Sequence, residues 1–207
     1  RPPRSTLFPY TTLFRSAYYL MLFAAVILVT LNLLWFPSSR TVEIPEFLFP
    51  ETPEYTGAGA LRSALFQVVS ISTTTGFCTD NFDVYPHFSR ILLVLLMIAG
   101  GCAGSTSGGL KIIRVVALLK LSYYQLERTF RPKTLRVLRI NGAILDDEFR
   151  RNILIYFVLY VFVFAGAVLL LSAAELPFET SISAVAATLN GVGPGLELVG
   201  AVQNYAA

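Results

Sequence analysis

Two stretches of the chain carry no charged residue over the full length needed to cross a lipid bilayer: "AYYLMLFAAVILVTLNLLWF" at Ala17 to Phe36 and "NILIYFVLYVFVFAGAVLLLSAA" at Asn152 to Ala174. At 1.5 Å per residue, a helix over either one covers a hydrocarbon core of ~30 Å. Only helices and closed barrels satisfy their backbone in lipid, and stretches this long and continuous read as helices. With 55% hydrophobic and 14% charged residues, the 207-residue chain falls outside soluble composition and reads as an all-α integral membrane protein. The charges that remain are sorted by side. Glu43, Glu46, Glu51 and Glu54 sit among Pro37, Pro45, Pro50 and Pro53 after the first span. Arg128, Arg131, Lys133, Arg136, Arg139, Arg150 and Arg151 crowd residues 122–151 before the second. The excess of basic residues assigns 122–151 to the cytoplasm and the acidic loop, with Glu175 and Glu179, to the exterior.

Between these spans lie segments that are apolar but too short to cross. "LRSALFQVVSIS", Leu61 to Ser72, ends in Thr73, Thr74, Thr75, Gly76 and Phe77, and the spacing predicts a helix that enters and turns back. The chain is then apolar from about Phe88 to Leu121, which as one unbroken helix would be about 50 Å long, well beyond one bilayer core. It must bend or break, and "AGGCAGSTSGGLK" at Ala99 to Lys111 marks where. Several glycines and serines in a row, at roughly 0.5–1 kcal/mol each relative to alanine for the glycines, make continued helix improbable. After the second span, "TSISAVAATLNGVGPGL" at Thr180 to Leu196 is again a short helix candidate ending in a glycine-rich turn. The order of span, acidic exterior loop, half-helix with glycine turn, span and basic interior loop therefore begins a second time, an internal repeat carried by order and hydropathy rather than identity. Laying Gly76 on Gly193 places Thr73, Thr74 and Thr75 on Asn190, Gly191 and Val192, and 61–72 on 178–189.

Non-helical backbone at membrane depth survives only where it is buried or lines water, so two such turns entered from one side suggest a pore. An ion stripped of water needs a ring of oxygens, which main-chain carbonyls provide where the backbone is free of Cβ constraint. Thr73 to Phe77 and Asn190 to Pro194 have that character. The half-helices before them aim their partially negative C-terminal ends at the same place, which favours a cation.

"STTTGF" at Ser72 to Phe77, "GGCAGSTSGGLK" at Gly100 to Lys111 and "ATLNGVGPGL" at Ala187 to Leu196 resemble the Trk/Ktr/HKT potassium transporter superfamily, most closely its bacterial TrkH branch; the likeness runs from Ala17 to the C-terminus. The resemblance implies a potassium-channel-like pore of four related quarters, each an outer helix, a re-entrant pore helix with filter loop, and an inner helix. This chain resembles the third quarter (outer helix 17–36, pore helix 61–72, filter 73–77, broken inner helix 88–121), a cytoplasmic basic linker (122–151) and most of the fourth quarter (outer helix 152–174, pore helix 178–189, filter 190–194), without the first two quarters and the last inner helix. It further implies that backbone carbonyls of Thr74, Thr75, Gly76, Gly191, Val192 and Gly193 hold potassium, flanked by Thr73, Phe77, Asn190 and Pro194, with K+ the transported ion and no cofactor. Gly100, Gly101, Gly104, Ser105, Thr106, Ser107, Gly108, Gly109 and Lys111 would form an intramembrane gate under the filter, with Arg114 anchoring the segment at the cytoplasmic interface. The implied setting is a bacterial inner membrane, as a multi-pass homodimer among lipids, with a cytoplasmic nucleotide-binding regulatory subunit. The fourth filter departs from the family, which often has two asparagines where this chain has Asn190 and Gly191.

Other readings are weaker. A phosphate-binding enzyme fails on spacing, since Leu110 holds the lysine position of a nucleotide cradle and Ile112 the following hydroxyl position. No acid/base pair, nucleophile or metal cluster suggests an enzyme, and the clustered basic loop speaks for membrane topology rather than nucleic acid. A membrane structural or assembly protein, using small residues for helix packing alone, explains the composition but not the repeated half-helices. Cys78 and Cys102 read as packing residues, His87 as an interface residue, and Tyr18, Tyr19, Trp35 and Phe36 as interfacial anchors. Asp80, Asn81 and Asp83 read either as cation-attracting groups at the filter mouth or as a solvated loop, and Lys111 as a gate residue or as a side chain snorkelling to headgroups. Arg1 to Ser16, containing "TLFPYTTLFRS", resembles one frame of a sequencing adapter and is expected to be an artefact.

Overall fold

The computed structural model describes residues 11–36, 55–102, 105–130, 139–140, 143–144 and 147–201. The first ten residues, the proline-rich acidic loop, Gly104, and Arg131, Lys133 and Arg136 of the basic linker lie outside the described residues. The helices are α1 (Thr11–Trp35), α2 (Gly57–Ser72), α3 (His87–Ala99), α4 (Ile112–Phe130), α5 (Asp147–Ala173) and α6 (Phe178–Leu189). Among the described residues, a two-residue antiparallel pairing of β1 (Arg139–Ile140) with β2 (Ala143–Ile144) in the α4–α5 connection is the one departure from an all-α fold.

Helix limits differ from the sequence reading. α1 starts at Thr11, inside the segment set aside as artefact, because once the apolar span is helical each preceding residue adds one hydrogen bond at little cost. α2 begins at Gly57, four residues before Leu61. α4 runs to Phe130, nine residues into the expected linker, because Lys120 and Glu127 are carried on an amphipathic helix rather than a loop.

Among the described residues, two helices are long and apolar enough to span, over Arg15–Trp35 and Arg150–Ala173. They present different surroundings. α5 is apolar on all sides and, in its described part, buries Ile153 alone, which is how a helix faces lipid. α1 turns a stripe of Ala25, Val26, Val29 and Leu33 inward and leaves Tyr19, Leu20, Phe23 and Trp35 outside. Against that stripe pack Ala60, Ala64, Val68 and Ile71 of α2 and Leu93, Leu96 and Met97 of α3, forming the core. Small residues at 60 and 64 let α2 approach closely, and two hydroxyl ties cross the packing: Ser72 Oγ donates to Tyr18 Oη (3.0 Å) and Ser89 Oγ to Asn32 Oδ1 (2.6 Å).

These ties fix the direction of each segment. Tyr18 and Asn32 lie about 21 Å apart along α1 at 1.5 Å per residue, and the end of α2 meets the first while the start of α3 meets the second. The chain therefore descends through α2 and climbs back between Thr73 and Tyr85. The return is complete, since Tyr55 before α2 and Tyr85 after the climb stand edge to face at 5.9 Å. The second unit repeats the manoeuvre. Past α6 the chain returns along its own helix, where the Leu196 N–H donates to Ser183 Oγ (3.1 Å), the Ser183 hydroxyl lies 3.2 Å from the Leu196 carbonyl, and Thr180 Oγ1 donates to Glu197 Oε2 (3.0 Å).

Candidate filter and barrier site

The two turns below α2 and α6 share one backbone trace. Each half-helix ends in a residue near the right-handed region, Thr73 (φ −83°, ψ −1°) and Asn190 (φ −96°, ψ 0°). Each continues into a positive φ, Thr74 (55°) and Gly191 (66°), and two residues later a second one, Gly76 (73°) and Gly193 (104°). Hydrogen bonds repeat in register: the Thr74 and Thr75 N–H groups donate to the Ile71 and Ser70 carbonyls, and the Gly191 and Val192 N–H groups to those of Thr188 and Ala187. The Gly193 N–H also reaches the Ala187 carbonyl, at 3.4 Å.

That pattern decides where the carbonyls go. In a trans peptide the C=O points opposite to the N–H of the next residue. With the N–H groups of 74, 75, 191, 192 and 193 turned back to their half-helices, the carbonyls of Thr73, Thr74, Asn190, Gly191 and Val192 turn away from them. The two turns meet there, for a Cβ added to Gly76 would strike the Val192 carbonyl oxygen and sit 3.0 Å from Pro194 Cδ. Glycine is thus required at 76 by both φ and crowding. At Gly191 and Gly193 an added Cβ would meet open space, so there φ alone favours glycine. Thr73, Thr75, Phe77, Gly191 and Gly193 are exposed, and Asn190 and Val192 are buried.

The α3–α4 break is an excursion closed at its base. Gly100 (φ 67°) ends α3, and the Leu110 and Ile112 N–H groups donate to the Ile98 and Gly101 carbonyls at 3.1 and 3.2 Å. Gly100 and Gly109 press so closely that a Cβ at 109 would lie 3.0 Å from Gly100 Cα. Inside the loop the Gly101 N–H donates to Ser107 Oγ (3.1 Å) and the Ser107 N–H to Ser105 Oγ (3.2 Å). Lys111, at φ 60°, folds back and donates from Nζ to the Ser105 carbonyl at 3.0 Å, rather than snorkelling outward. The loop touches the second turn: Gly108 lies against the backbone of Asn190, with no room for a Cβ. Thr106 is exposed. Arg114 stacks its guanidinium 3.9 Å from the centre of the Tyr156 ring, joining α4 to α5.

A family model described as TrkH, cation transport protein, matches residues 11–204. The chain belongs to the TrkH family. Its matched residues begin at 11 rather than 17, inside the segment expected to be an artefact. The Trk system potassium uptake protein TrkH of Vibrio parahaemolyticus is 41% identical over 137 residues, 66% of this chain and 28% of that protein. That of Escherichia coli K12 is 37% identical over 139 residues (67% and 29%), and that of Halomonas elongata 33% over 182 (87% and 35%). The crystal structure of the potassium transporter TrkH from V. parahaemolyticus superposes with a TM-score of 0.74 at 32% identity, over 91% of this chain and 36% of that one. The chain thus spans about a third of the length of these TrkH relatives.

The stretch that follows the first turn of this TrkH-family chain is built differently from its sequence reading. Asp80, Asn81 and Asp83 are neither solvated nor open to ions, all three being buried. Asp80 Oδ2 accepts both the Tyr55 (2.9 Å) and Tyr85 (3.0 Å) hydroxyls, Asn81 Oδ1 caps the 3₁₀ turn at Phe82–Val84 by accepting the Asp83 N–H, and Asp83 Oδ1 accepts the Glu197 N–H (2.8 Å). Burial, and then the charge of Asp80, raise both tyrosines far above the usual phenol range, so they remain donors at any physiological pH. Tyr55, Tyr85, Tyr160 and Ser183 escape sequence reasoning because single tyrosines and serines carry no local signature.

Proposed function

We propose that the chain contributes two neighbouring quarters of a potassium uptake path in a bacterial inner membrane, 17–121 and 152–207, joined by a cytoplasmic linker. Potassium is held by the main-chain carbonyls of Thr74, Thr75, Gly76, Gly191, Val192 and Gly193, and the loop from Gly100 to Lys111 stands as the barrier beneath. The observation that carries this reading is the shared backbone of the two turns and their meeting at Gly76 and Val192. Two turns of one conformation, each ending a half-helix with its negative pole toward the same point, supply the oxygens and the field that a dehydrated cation needs. The relatives' name, Trk system potassium uptake protein, supports potassium as that cation. The assembly around it is a homodimer in lipid, with a nucleotide-binding regulatory subunit on the basic cytoplasmic side. No chemical step is assigned to any residue.

The test is a chimera in which residues 55–201 replace the matching segment of V. parahaemolyticus TrkH, reconstituted in liposomes. Gly76→Ala places a methyl group on the Val192 carbonyl at a φ of 73°. Potassium over sodium selectivity is expected to fall about tenfold, the equivalent of ~1.4 kcal/mol of differential coordination. Unaltered selectivity would remove the filter assignment.

A further inference from the structure

The barrier loop belongs to the first unit, yet the surface it rests on belongs to the second. Gly108 is packed against Cα, C and O of Asn190, the residue that ends α6 and opens the second turn. Asn190 is fully buried, and its side chain is held at both ends: Nδ2 donates to the Ala186 carbonyl (2.7 Å) and Oδ1 accepts the Tyr160 hydroxyl (2.9 Å). Tyr160 stands on lipid-facing α5, stacked on Phe164. The corresponding place in the first unit is different. Thr73 is exposed, its hydroxyl turned to the Val69 carbonyl and to Thr75 Oγ1, and the outer-helix tyrosine, Tyr18, is tied to Ser72 instead. Over its described residues the loop is braced within itself, by the Gly101 N–H on Ser107 Oγ and by Lys111 Nζ on the Ser105 carbonyl, on either side of the Gly108 contact with Asn190.

We propose that Tyr160 and Asn190 are positioning residues that key the barrier loop to the second filter turn, so that the position of the loop and the ion preference of that turn are coupled. The inference rests on the filter and barrier reading above. When the loop is seated, Gly108 supports the Asn190 peptide from below while Tyr160 fixes its side chain from the lipid side. Gly191 and Val192 then keep the conformation in which their carbonyls leave α6. When the loop withdraws, Asn190 keeps only its side-chain bonds to the Ala186 carbonyl and to Tyr160, of which Tyr160 is the one from outside its own helix, and the second turn loosens while the first does not. Tyr160→Phe weakens its constraint without touching a carbonyl, because Tyr160 acts through an amide side chain, whereas Gly108 acts by van der Waals contact with the Asn190 backbone, its carbonyl included.

The coupling is measured with the same chimera. Flux and the ratio of potassium to sodium permeability are compared for the parent, Tyr160→Phe, Gly108→Ala and the double variant. Each single change is expected to lower the ratio by about threefold or more, and the double variant to fall short of the product of the two by a similar factor. Tyr18→Phe, which removes the analogous hydroxyl from the first unit, serves as the control and is expected to combine multiplicatively with Gly108→Ala. Should Gly108→Ala not assemble, Ser107→Ala loosens the loop without a clash and takes its place. Independent, multiplicative effects of Tyr160→Phe and the loop variant, or a Tyr160→Phe ratio equal to the parent's, would overturn the coupling. Failure of the underlying filter reading looks different, since Gly76→Ala would then leave selectivity untouched as well.

Discussion

A single carboxylate oxygen of Asp80 holds Tyr55 and Tyr85, the residues that mark where the chain enters and leaves its first re-entrant excursion. Removing one donor leaves a buried carboxylate under-bonded, so Tyr85→Phe is expected to cost about 1–3 kcal/mol, read as a lowered Tm in detergent, whereas Phe at an exposed tyrosine such as Tyr123 would leave Tm in place. The same neighbourhood sets the chemistry of Cys78. Burial, and then the Asp80 charge, push its thiol from 9 up to about 11. A raised pKa means the fold favours the protonated form. That contribution is complete below pH 9 and is lost as pH rises through 11. In a Cys102→Ser background, alkylation of Cys78 should therefore stay slow at neutral pH and rise with a midpoint close to 11; a midpoint at 9 would show a thiol open to water.

Among elements, the α3–α4 loop is the one whose form makes a direct claim on flux. The backbone bonds at Ile98 and Gly101 close its base, so residues 103–106 can be removed with Gly108, Gly109 and both helix ends in place. Flux through the chimera is expected to rise about tenfold, equivalent to ~1.4 kcal/mol off the barrier, and unchanged or reduced flux would deny the loop its role. The break itself was legible in the sequence, as were the turns at Gly76, Gly191 and Gly193, because a positive φ is a local demand that glycine answers wherever it stands. Thr74 and Lys111 meet the same demand without being glycine, and nothing nearby in the chain announces it. Asp80, Asn81 and Asp83 read as a polar loop because their burial depends on Tyr55, Tyr85 and Glu197, up to 114 residues away. The Gly108 to Asn190 contact is equally invisible, since it requires knowing that the second unit places its turn against the first unit's loop. Hydropathy found the spans, but α4 outran its expected end because an amphipathic helix leaving the membrane keeps its period while losing its mean apolarity.

At the scale of the whole molecule, the two units are joined head to tail rather than face to face. Contacts between them among the described residues include Gly76 on Val192, Asp83 on Glu197, Arg114 on Tyr156, α3 on α6, and Gly108 on Asn190, the last two pairing non-equivalent parts of the two repeats. Heterologous contacts of this kind generate a ring when the rotation closes, which is the geometry a shared axial path requires. The ion pair of Arg90 on α3 with Glu179 on α6 (2.9 Å) lies in this joint, and its two ends are unequal: the guanidinium is 3% exposed and the carboxylate 51%. Arg90 Nε and Nη1 are buried without hydrogen-bond partners among the described residues, so the pair offsets the desolvation of the arginine only in part. Glu179→Ala strands the buried cation and is expected to cost about 1–3 kcal/mol, less than for a fully buried pair because the carboxylate is already half in water. Arg90→Met exchanges the cation for a flexible apolar chain of similar length and should cost less. The Arg90→Met/Glu179→Ala double variant should then recover most of the loss of Glu179→Ala alone, as judged by thermal unfolding of the chimera in detergent. If Arg90→Met proves the more damaging single change and the double variant recovers nothing, the pair is a net source of cohesion between the units rather than a compensated cost.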